Sequence, residues 1–167
     1  MSALAAIPEK HGGELAGRSS VRVWLRLLSC AMAIEKRVRQ GLAGGFATTL
    51  PRFDVLAALD RRPEGMTMGA LSRALLVSNG NVTAIVRALA ADGLVAAEPV
   101  ATDRRASRVR LTPKGAARFA AMAAAHHQWV EDLLAGLAPA EREALYTQLG
   151  RLRQSIAAAS DGADHGS

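Results

Sequence analysis

Five positive charges and no acid lie between Arg104 and Lys114, in the run RRASRVRLTPK. The flanking stretches, residues 95–100 and 107–111, are predicted to be the two strands of a hairpin, with residues 101–106 at its tip. A basic tip on a protruding ribbon fits a phosphate backbone and the negative potential of a narrow minor groove. This pattern predicts electrostatic binding of a polyanion. The alternative is an ordinary solvated hairpin whose arginines only keep the protein in solution.

The acid that precedes the basic run belongs to the same pattern. Asp103 lies two residues before Arg105, so both side chains point to the same side of an extended chain. We expect the carboxylate to orient the guanidinium. Arg104 lies between them and is a further candidate for contact with the polyanion.

Short polar residues open the helix that is predicted just before the hairpin. Ser78 is its predicted N-cap, with the hydroxyl accepting from the amide of Asn81, and Gly93 ends it. The apolar residues Val82, Val86 and Leu89, together with Ile85, fall on the opposite, core-facing side. The residues expected to reach base edges in a major groove, or a phosphate, are Ser78, Asn79, Gly80, Asn81, Thr83 and Arg87.

Residues 66–115 have the layout of a winged helix-turn-helix. A short helix is predicted from Thr67, its N-cap, and it is followed by a tight turn, the longer helix and the basic hairpin. The long apolar stretches on either side predict further helices. The first of these is expected to end at Gly44-Gly45, and the next to start at Thr49, with Pro51 in its first turn. The expected fold class is mostly α with a small β-hairpin wing, in which a helical dimerisation domain carries the winged helix-turn-helix.

The hairpin and the segment after it carry a family resemblance. The run DRRA at 103–106, followed by VRLTPKG at 109–115, resembles the wing of the MarR family of bacterial transcription regulators. The runs LPRFDVL at 50–56 and SNGNVT at 78–83 are similar to a branch that controls catabolism of aromatic acids such as hydroxycinnamates, hydroxybenzoates and nicotinate. The resemblance covers roughly residues 20 to 158. It implies an obligate homodimer that binds a pseudo-palindromic operator on double-stranded DNA and represses until a small molecule is bound.

The same resemblance implies an effector pocket between the dimerisation helices and the winged domain. A small aromatic carboxylic acid needs a cation for its charge and a flat apolar wall for its ring. The candidates that this chain offers are Trp24, Arg26, Arg52, Phe53, His126 and Trp129. The alternative is that the aromatic residues belong to the core and that the arginines are solvated or pair with Glu35, Asp54 and Asp60.

Other reactive residues give weaker patterns, and an enzyme is not expected. The sequence has no Gly-rich phosphate loop, no HExxH motif and no nucleophile elbow, so no catalytic residue or cofactor is predicted. His126 and His127 diverge on a helix, and His127 with Glu131 is expected to form an exposed pair instead of a metal site. Cys30 is expected to be a buried small hydrophobe, with a redox role as the alternative.

Composition limits the class of protein. The chain has 167 residues, half of them hydrophobic, and a formal net charge of +6, which favours a polyanionic partner. One cysteine excludes an internal disulfide framework. No apolar run approaches the roughly 20 residues that span a bilayer, and no signal peptide is recognisable. We therefore expect a cytoplasmic, nucleoid-associated protein without a membrane partner.

The expected domain organisation follows from these patterns. Residues 1–19 form a flexible arm, 46–111 the winged helix-turn-helix, 20–45 and 112–158 the helical dimerisation region, and 159–167 a disordered tail. The predicted function is a homodimeric repressor that an aromatic acid releases from DNA. The alternative is an architectural protein, or a redox- or metal-responsive regulator, without such an inducer.

Overall fold

The computed structural model describes residues 19–75, 78–100 and 103–164. These residues contain nine helices and strands. In chain order they are α1 (Ser19–Phe46), α2 (Leu50–Asp60), β1 (Met66–Thr67), α3 (Met68–Leu75), α4 (Asn79–Ala91), β2 (Val95–Val100), β3 (Asp103–Leu111), α5 (Pro113–Leu134) and α6 (Pro139–Asp164). The expected fold class, mostly α with a small sheet, is confirmed. The chain divides into two compact units, one up to Trp129 and one from Val130.

The core of the first unit is built around α2. Its residues Val55, Leu56 and Leu59 are almost completely buried, as expected for a helix covered on several sides. Leu71 of α3 and Val109 of β3 are fully buried in the same cluster. This cluster fixes the helix-turn-helix and the wing relative to α2.

The start of α2 agrees with the sequence prediction, and the end of α1 departs from it. Thr49 is the N-cap of α2, with Pro51 in the first turn, as predicted. The prediction that Gly44 and Gly45 end α1 is wrong, because the helix continues to Phe46. The reversal falls on Ala47, a non-glycine residue with a φ of +48°. Backbone bonds from the Ala47 and Thr48 amides to the last turn of α1 hold this reversal.

The sheet has three antiparallel strands in the order β1-β3-β2, one more than predicted. The added strand, Met66–Thr67, pairs with Val109 and Arg108 of β3. The hairpin tip is also shorter than the predicted residues 101–106. Because β3 already begins at Asp103, which pairs with Val100, the ladder extends further than expected. Thr67 still caps α3, since its Oγ1 accepts from the Ala70 amide at 3.3 Å.

A close contact between backbones joins α5 to the wing. Thr112 caps α5 through a 3.0 Å hydrogen bond from the Gly115 amide. A Cβ atom at Gly115 would lie 1.9 Å from the carbonyl oxygen of Leu94, so the position admits no side chain. The first turn of α5 is thereby fixed against the end of α4 and the start of β2.

The second unit contains the end of α5 and all of α6. Glu141 accepts a 2.8 Å hydrogen bond from the Ala138 amide, which is half of a capping box at the start of α6. The helix runs to Asp164, although the sequence predicted a loose tail from Ala159. Alanine, a strong helix former, occupies 157–159 and extends the helix beyond Ile156.

No single helix within the described ranges is long and apolar enough to cross a membrane. One bent pair, Met68–Leu75 with Gly80–Ala91, meets the length and composition test only when its two helices are taken together.

Candidate functional site

Helix α4 has a buried face and an exposed polar face. Val82 and Leu89 are fully buried and Val86 is nearly so, which confirms the predicted apolar side. The side chains of Asn81, Thr83 and Arg87 are exposed, and a Cβ atom at Gly80 would meet nothing within 4 Å. The backbone of Asn79 lies in the helix, but its side chain is outside the described part of the structure. The exposed face is free to approach a partner closely.

Ser78 caps α4 by position without the predicted side-chain bond. Its backbone is extended and its carbonyl accepts from the Val82 amide at 3.2 Å, but its hydroxyl makes no cap hydrogen bond. The predicted acceptance from the Asn81 amide is therefore wrong. The Ser78 side chain is exposed at the N-terminus of α4, which is the end of a helix at which anions bind.

Two of the four arginines of β3 are engaged near the base of the wing. The Arg108 guanidinium donates to the Gly65 carbonyl at 3.3 Å, and Arg110 lies 2.8 Å from the Glu98 carboxylate. The side chains of Asp103, Arg104 and Arg105 lie outside the described residues, so the predicted Asp103–Arg105 contact stays a prediction. The backbone places all three at the start of β3, next to the hairpin turn.

The six predicted effector residues are distributed over several environments. Phe53 is buried, and its ring stacks on His126 with the centroids 5.1 Å apart. Trp129 packs edge-on against Phe46, with centroids 6.4 Å apart. It also covers Gly41, where a Cβ atom would lie 2.6 Å from the indole ring. Trp24 is 57% exposed and Arg26 is also exposed, both on α1.

Arg52 is the predicted effector residue that lines a large cavity. The cavity has a volume of about 660 Å³. It is lined by Phe46, Ala47, Thr48, Arg52, Leu56, Ala91, Asp92, Leu94, Lys114, Arg118 and Met122. Arg52 forms an ion pair with Asp92, an acid that was not among the partners named in the alternative for the arginines, which were Glu35, Asp54 and Asp60. The sequence analysis did not select Lys114 and Arg118 for this role, although their four-residue spacing places both on one face of α5.

The end of α4 is held at the edge of this cavity by several bonds. Besides Arg52, which reaches the Asp92 carboxylate, Lys114 donates to the Asp92 carbonyl at 2.8 Å. The Thr112 hydroxyl donates to the Gly93 carbonyl at 2.7 Å. Gly93 has a φ of +71°, as predicted for the residue that ends the helix. These contacts connect the last turn of α4 to α2 and α5.

A half-buried acid lies beside the stacked Phe53 and His126. Burial raises the pKa of the Asp54 carboxyl above its ordinary value of 3.8. The charges of His126 and Arg39 lower it again but do not cancel the effect of burial, and Glu35 adds to the rise. The protonated form of Asp54 is thus more favourable in the folded chain than in the unfolded one.

The structure also bears on Cys30, on the partner of Glu131 and on a metal site. Cys30 is exposed, so the prediction of a buried thiol is wrong; α1 buries side chains only in its C-terminal half, at Val38 and Leu42. Glu131 lies 2.7 Å from Arg142, where the sequence predicted His127 as its partner. In the described ranges, no three His, Cys, Asp or Glu side chains are grouped to hold a metal ion.

A helix-turn-helix whose second helix is exposed, followed by a β-hairpin wing, defines a winged helix-turn-helix protein. Residues 48–106 match the family model MarR_2, the MarR family. The chain is also 35% identical over 96 residues to BadR of Rhodopseudomonas palustris, a transcriptional activatory protein. That match covers 56% of this chain and 54% of BadR, so the chain spans about half the length of this curated relative.

Solved structures share the architecture. A MarR family transcriptional regulator from Silicibacter pomeroyi superposes with a TM-score of 0.70 at 29% identity, over 82% of this chain and 94% of that one. BpsR of Bordetella bronchiseptica, whose DNA binding is regulated by 6-hydroxynicotinic acid, gives 0.70 at 26% identity, over 79% and 98%. The chain is therefore similar to MarR family transcriptional regulators, with which it shares the winged-helix fold.

Proposed function

We propose that the chain is a homodimeric DNA-binding regulator, a repressor that a small aromatic carboxylic acid releases from a pseudo-palindromic operator. The observation that carries the proposal is the exposed polar face of α4 beside a basic wing. Both are fixed to the same core by Val82, Leu89 and Val109. A rigid helix with short polar side chains and a charged ribbon beside it are the parts that read a duplex.

Each surface has a different role in the proposal. Asn81, Thr83 and Arg87 contact base edges in the major groove, while Ser78, Gly80 and the first amides of α4 contact phosphate. Asn79 joins the first group by its position at the start of the helix. Arg104 and Arg105 probe the adjacent minor groove, with Asp103 orienting Arg105.

Exposed apolar side chains support a dimer. On α1, Val21, Val23, Trp24 and Met32 are 43–58% exposed, and on α6, Leu145, Leu149 and Ile156 are 39–58% exposed. Residues 145, 149, 152 and 156 repeat at the four- and three-residue spacing of a helix-pairing seam. We assign residues 20–45 and 112–158 to dimerisation and 46–111 to DNA binding. The flexible arm predicted for 1–19 and the tail predicted for 159–167 stay predictions only for 1–18 and 165–167, which lie outside the described residues, because Ser19 belongs to α1 and α6 runs to Asp164.

The effector class is supported by a relative and by local chemistry. BpsR responds to 6-hydroxynicotinic acid, a hydroxylated pyridine acid of the predicted type. In this chain a cavity with cationic and apolar walls lies next to the end of α4. Trp24 and Arg26 of α1 are retained as proposed effector contacts. A regulator of this kind acts on the chromosome, so the proposal places the chain in the cytoplasm, at the nucleoid.

A titration of labelled DNA tests the proposal. The fluorescence anisotropy of a duplex from the region upstream of the gene is measured against a scrambled duplex, with and without a panel of aromatic acids. A sensor binds the upstream duplex more tightly and releases it when one of the acids is added. An architectural protein binds both duplexes and ignores the acids. A chain that binds neither at low salt contradicts the proposal.

The direction of regulation needs its own measurement, because BadR is named as an activator. Deletion of the gene is expected to raise expression from a reporter fused to the upstream region. A fall in expression would make the chain an activator with the same DNA-binding parts.

A further inference from the structure

We propose that the contact between Trp129 and Gly41 is a joint that sets which spacing of half-sites the dimer accepts on DNA. The inference rests on the proposed function, in which two copies of the chain present two α4 helices to one duplex. Its starting point is that the indole ring of Trp129, on α5, lies against the backbone of α1. A Cβ atom at Gly41 would be 2.6 Å from that ring.

Helix α1 has two halves with different surroundings. Its C-terminal half buries Val38 and Leu42 in the core that also contains residues of α2 and α4. Its N-terminal half exposes Val21 and Trp24, which the proposed function gives to the dimer interface. The helix is continuous over its 28 residues. The direction in which α1 leaves the winged domain therefore determines where the partner is held relative to α4.

Cations and aromatic rings alternate where α1 meets α5. The Arg37 guanidinium lies 5.9 Å from the centroid of the Trp129 ring, and Trp129 meets Phe46 edge-on. The Arg118 guanidinium lies 5.3 Å from the centroid of the Phe46 ring and donates to the Phe46 carbonyl at 2.5 Å. Cation–π contacts depend on the position of the cation over the ring, so they favour one arrangement of the two helices. Helix α1 is thus held both at its end and around Trp129.

Gly41 makes the close approach of the two helices possible. Glycine inside a helix is less favourable than alanine, because it loses more conformational freedom on folding. At this position the ring carbons of Trp129 occupy the space that a side chain would need. Helix propensity and tertiary packing therefore conflict at Gly41. Such conflicts are expected at positions that serve function.

The length of α1 magnifies any change at Gly41. Carbon atoms in contact lie about 3.5–4.0 Å apart, so a methyl group here must separate from the ring by about 1 Å more. Gly41 lies five residues before Phe46, where Arg118 holds the helix end, and Val21 lies 25 residues before it. A rigid helix that pivots at Phe46 then moves by about 5 Å at Val21. This exceeds the rise of one base pair, about 3.4 Å, and is enough to change the preferred spacing.

Fluorescence anisotropy with a series of duplexes tests the joint. The upstream duplex, with its inverted repeat located by footprinting, is compared with duplexes that have one or two base pairs inserted or removed at the centre of the repeat. No acid is added. Wild type is expected to bind every altered duplex about tenfold or more weakly, since the half-site spacing must match the dimer. Gly41→Ala is expected to bind at least one altered duplex within about threefold of the original. Its salt dependence is expected to equal that of wild type, because no phosphate contact is removed.

A double-mutant cycle separates the joint from general destabilisation. Trp129→Ala removes the ring and is expected to relax the spacing preference as Gly41→Ala does. The double variant is expected to behave as Trp129→Ala alone, because the methyl group no longer meets the ring. Gly41→Ala is expected to lower the melting temperature of wild type and to raise that of Trp129→Ala, in which only helix propensity remains.

Matched variants control for folding and for the substitution itself. Gly44→Ala lies in the same helix, where a Cβ atom meets nothing within 4 Å, and is expected to keep the wild-type spacing preference. Circular dichroism melts show which variants fold. Trp129→Leu keeps an apolar side chain without the ring, and it replaces the alanine variants if these unfold. Folded variants at Gly41 and Trp129 that all keep the wild-type preference would overturn the joint.

A distance measurement tests the joint without DNA. Cys30 is the one cysteine and is exposed, so a Cys30→Ser background with Ala90→Cys leaves one label on the exposed side of α4. Double electron–electron resonance then measures the distance between the two α4 helices. Gly41→Ala is expected to shift or broaden this distance by about 5 Å. An unchanged distance would overturn the joint. Wild type that gives a distance but ignores upstream DNA would contradict the proposed function alone, and wild type that gives no distance would contradict both.

Discussion

The guanidinium of Arg110 lies 2.8 Å from the carboxylate of Glu98, across the two strands of the wing. This pair neutralises one of the five positive charges in the basic run. The Arg108 guanidinium, bonded to the Gly65 carbonyl, is also held near the base of the wing. The arginines of the wing therefore differ in role, and those nearest the turn are the ones expected to meet DNA.

The first prediction separates these arginines. Arg105→Ala is expected to weaken binding to all duplexes and to reduce the slope of log affinity against log salt by about one, because one phosphate contact is lost. Arg110→Ala is expected to change the slope by much less. Anisotropy titrations at several salt concentrations measure both. Equal slopes for Arg105→Ala and wild type would remove the tip of the wing from the DNA interface.

The second prediction concerns the exposed face of α4. Asn81→Ala is expected to reduce the preference for upstream DNA over scrambled DNA by about 1–3 kcal/mol, since an amide that reads a base edge is lost. The melting temperature is expected not to change, because Asn81 is exposed. Gln40→Ala, which removes an exposed amide on α1, serves as the control. If Asn81→Ala keeps full discrimination, another part of the chain reads the sequence.

The third prediction concerns the contact between α5 and β2. Gly115→Ala is expected to lower stability by about 1–3 kcal/mol, because the added methyl group would overlap the Leu94 carbonyl. Gly44→Ala is the matched control in a helix, since a Cβ atom there meets nothing within 4 Å. It is expected to stabilise by roughly 0.5–1 kcal/mol through helix propensity. Urea unfolding compares the two, and a neutral Gly115→Ala would contradict the close approach.

The fourth prediction follows from the raised pKa of Asp54. The folded chain holds the Asp54 proton more tightly than the unfolded chain does, so this group adds stability at low pH. That contribution is lost as the pH rises through the folded-state pKa. Asp54→Asn is therefore expected to raise the melting temperature at pH 7.5 and to lose this advantage towards pH 4. Asp60→Asn, on the exposed end of α2, is expected to show no such trend. A lower melting temperature for Asp54→Asn at pH 7.5 would mean that ion pairing outweighs burial.

Regular patterns in the sequence predicted the parts of the fold that depend on local spacing. The buried face of α4 follows from the three- and four-residue spacing of Val82, Val86 and Leu89. The strand Met66–Thr67 was missed because two residues are too short to show alternation. The continuation of α1 past Gly44 was missed because the reversal depends on an uncommon backbone conformation at Ala47.

The cavity could not be predicted in the same way. The Arg52–Asp92 pair joins residues 40 positions apart, and no periodicity connects them. Arg118 faces the cavity because α5 is fixed against Leu94, a contact that depends on the absence of a side chain at Gly115. Exposure of Cys30 likewise depends on which elements cover α1. Such features follow from tertiary packing, which residue types and spacing alone do not determine.

The central claim is that two copies of this chain present two α4 helices to one DNA site. Sedimentation velocity of the protein with a labelled upstream duplex measures this directly through the mass of the complex. The account predicts two chains per duplex and a dimer of free protein at the same concentration. A complex of one chain per duplex, formed by a monomeric protein, would contradict it.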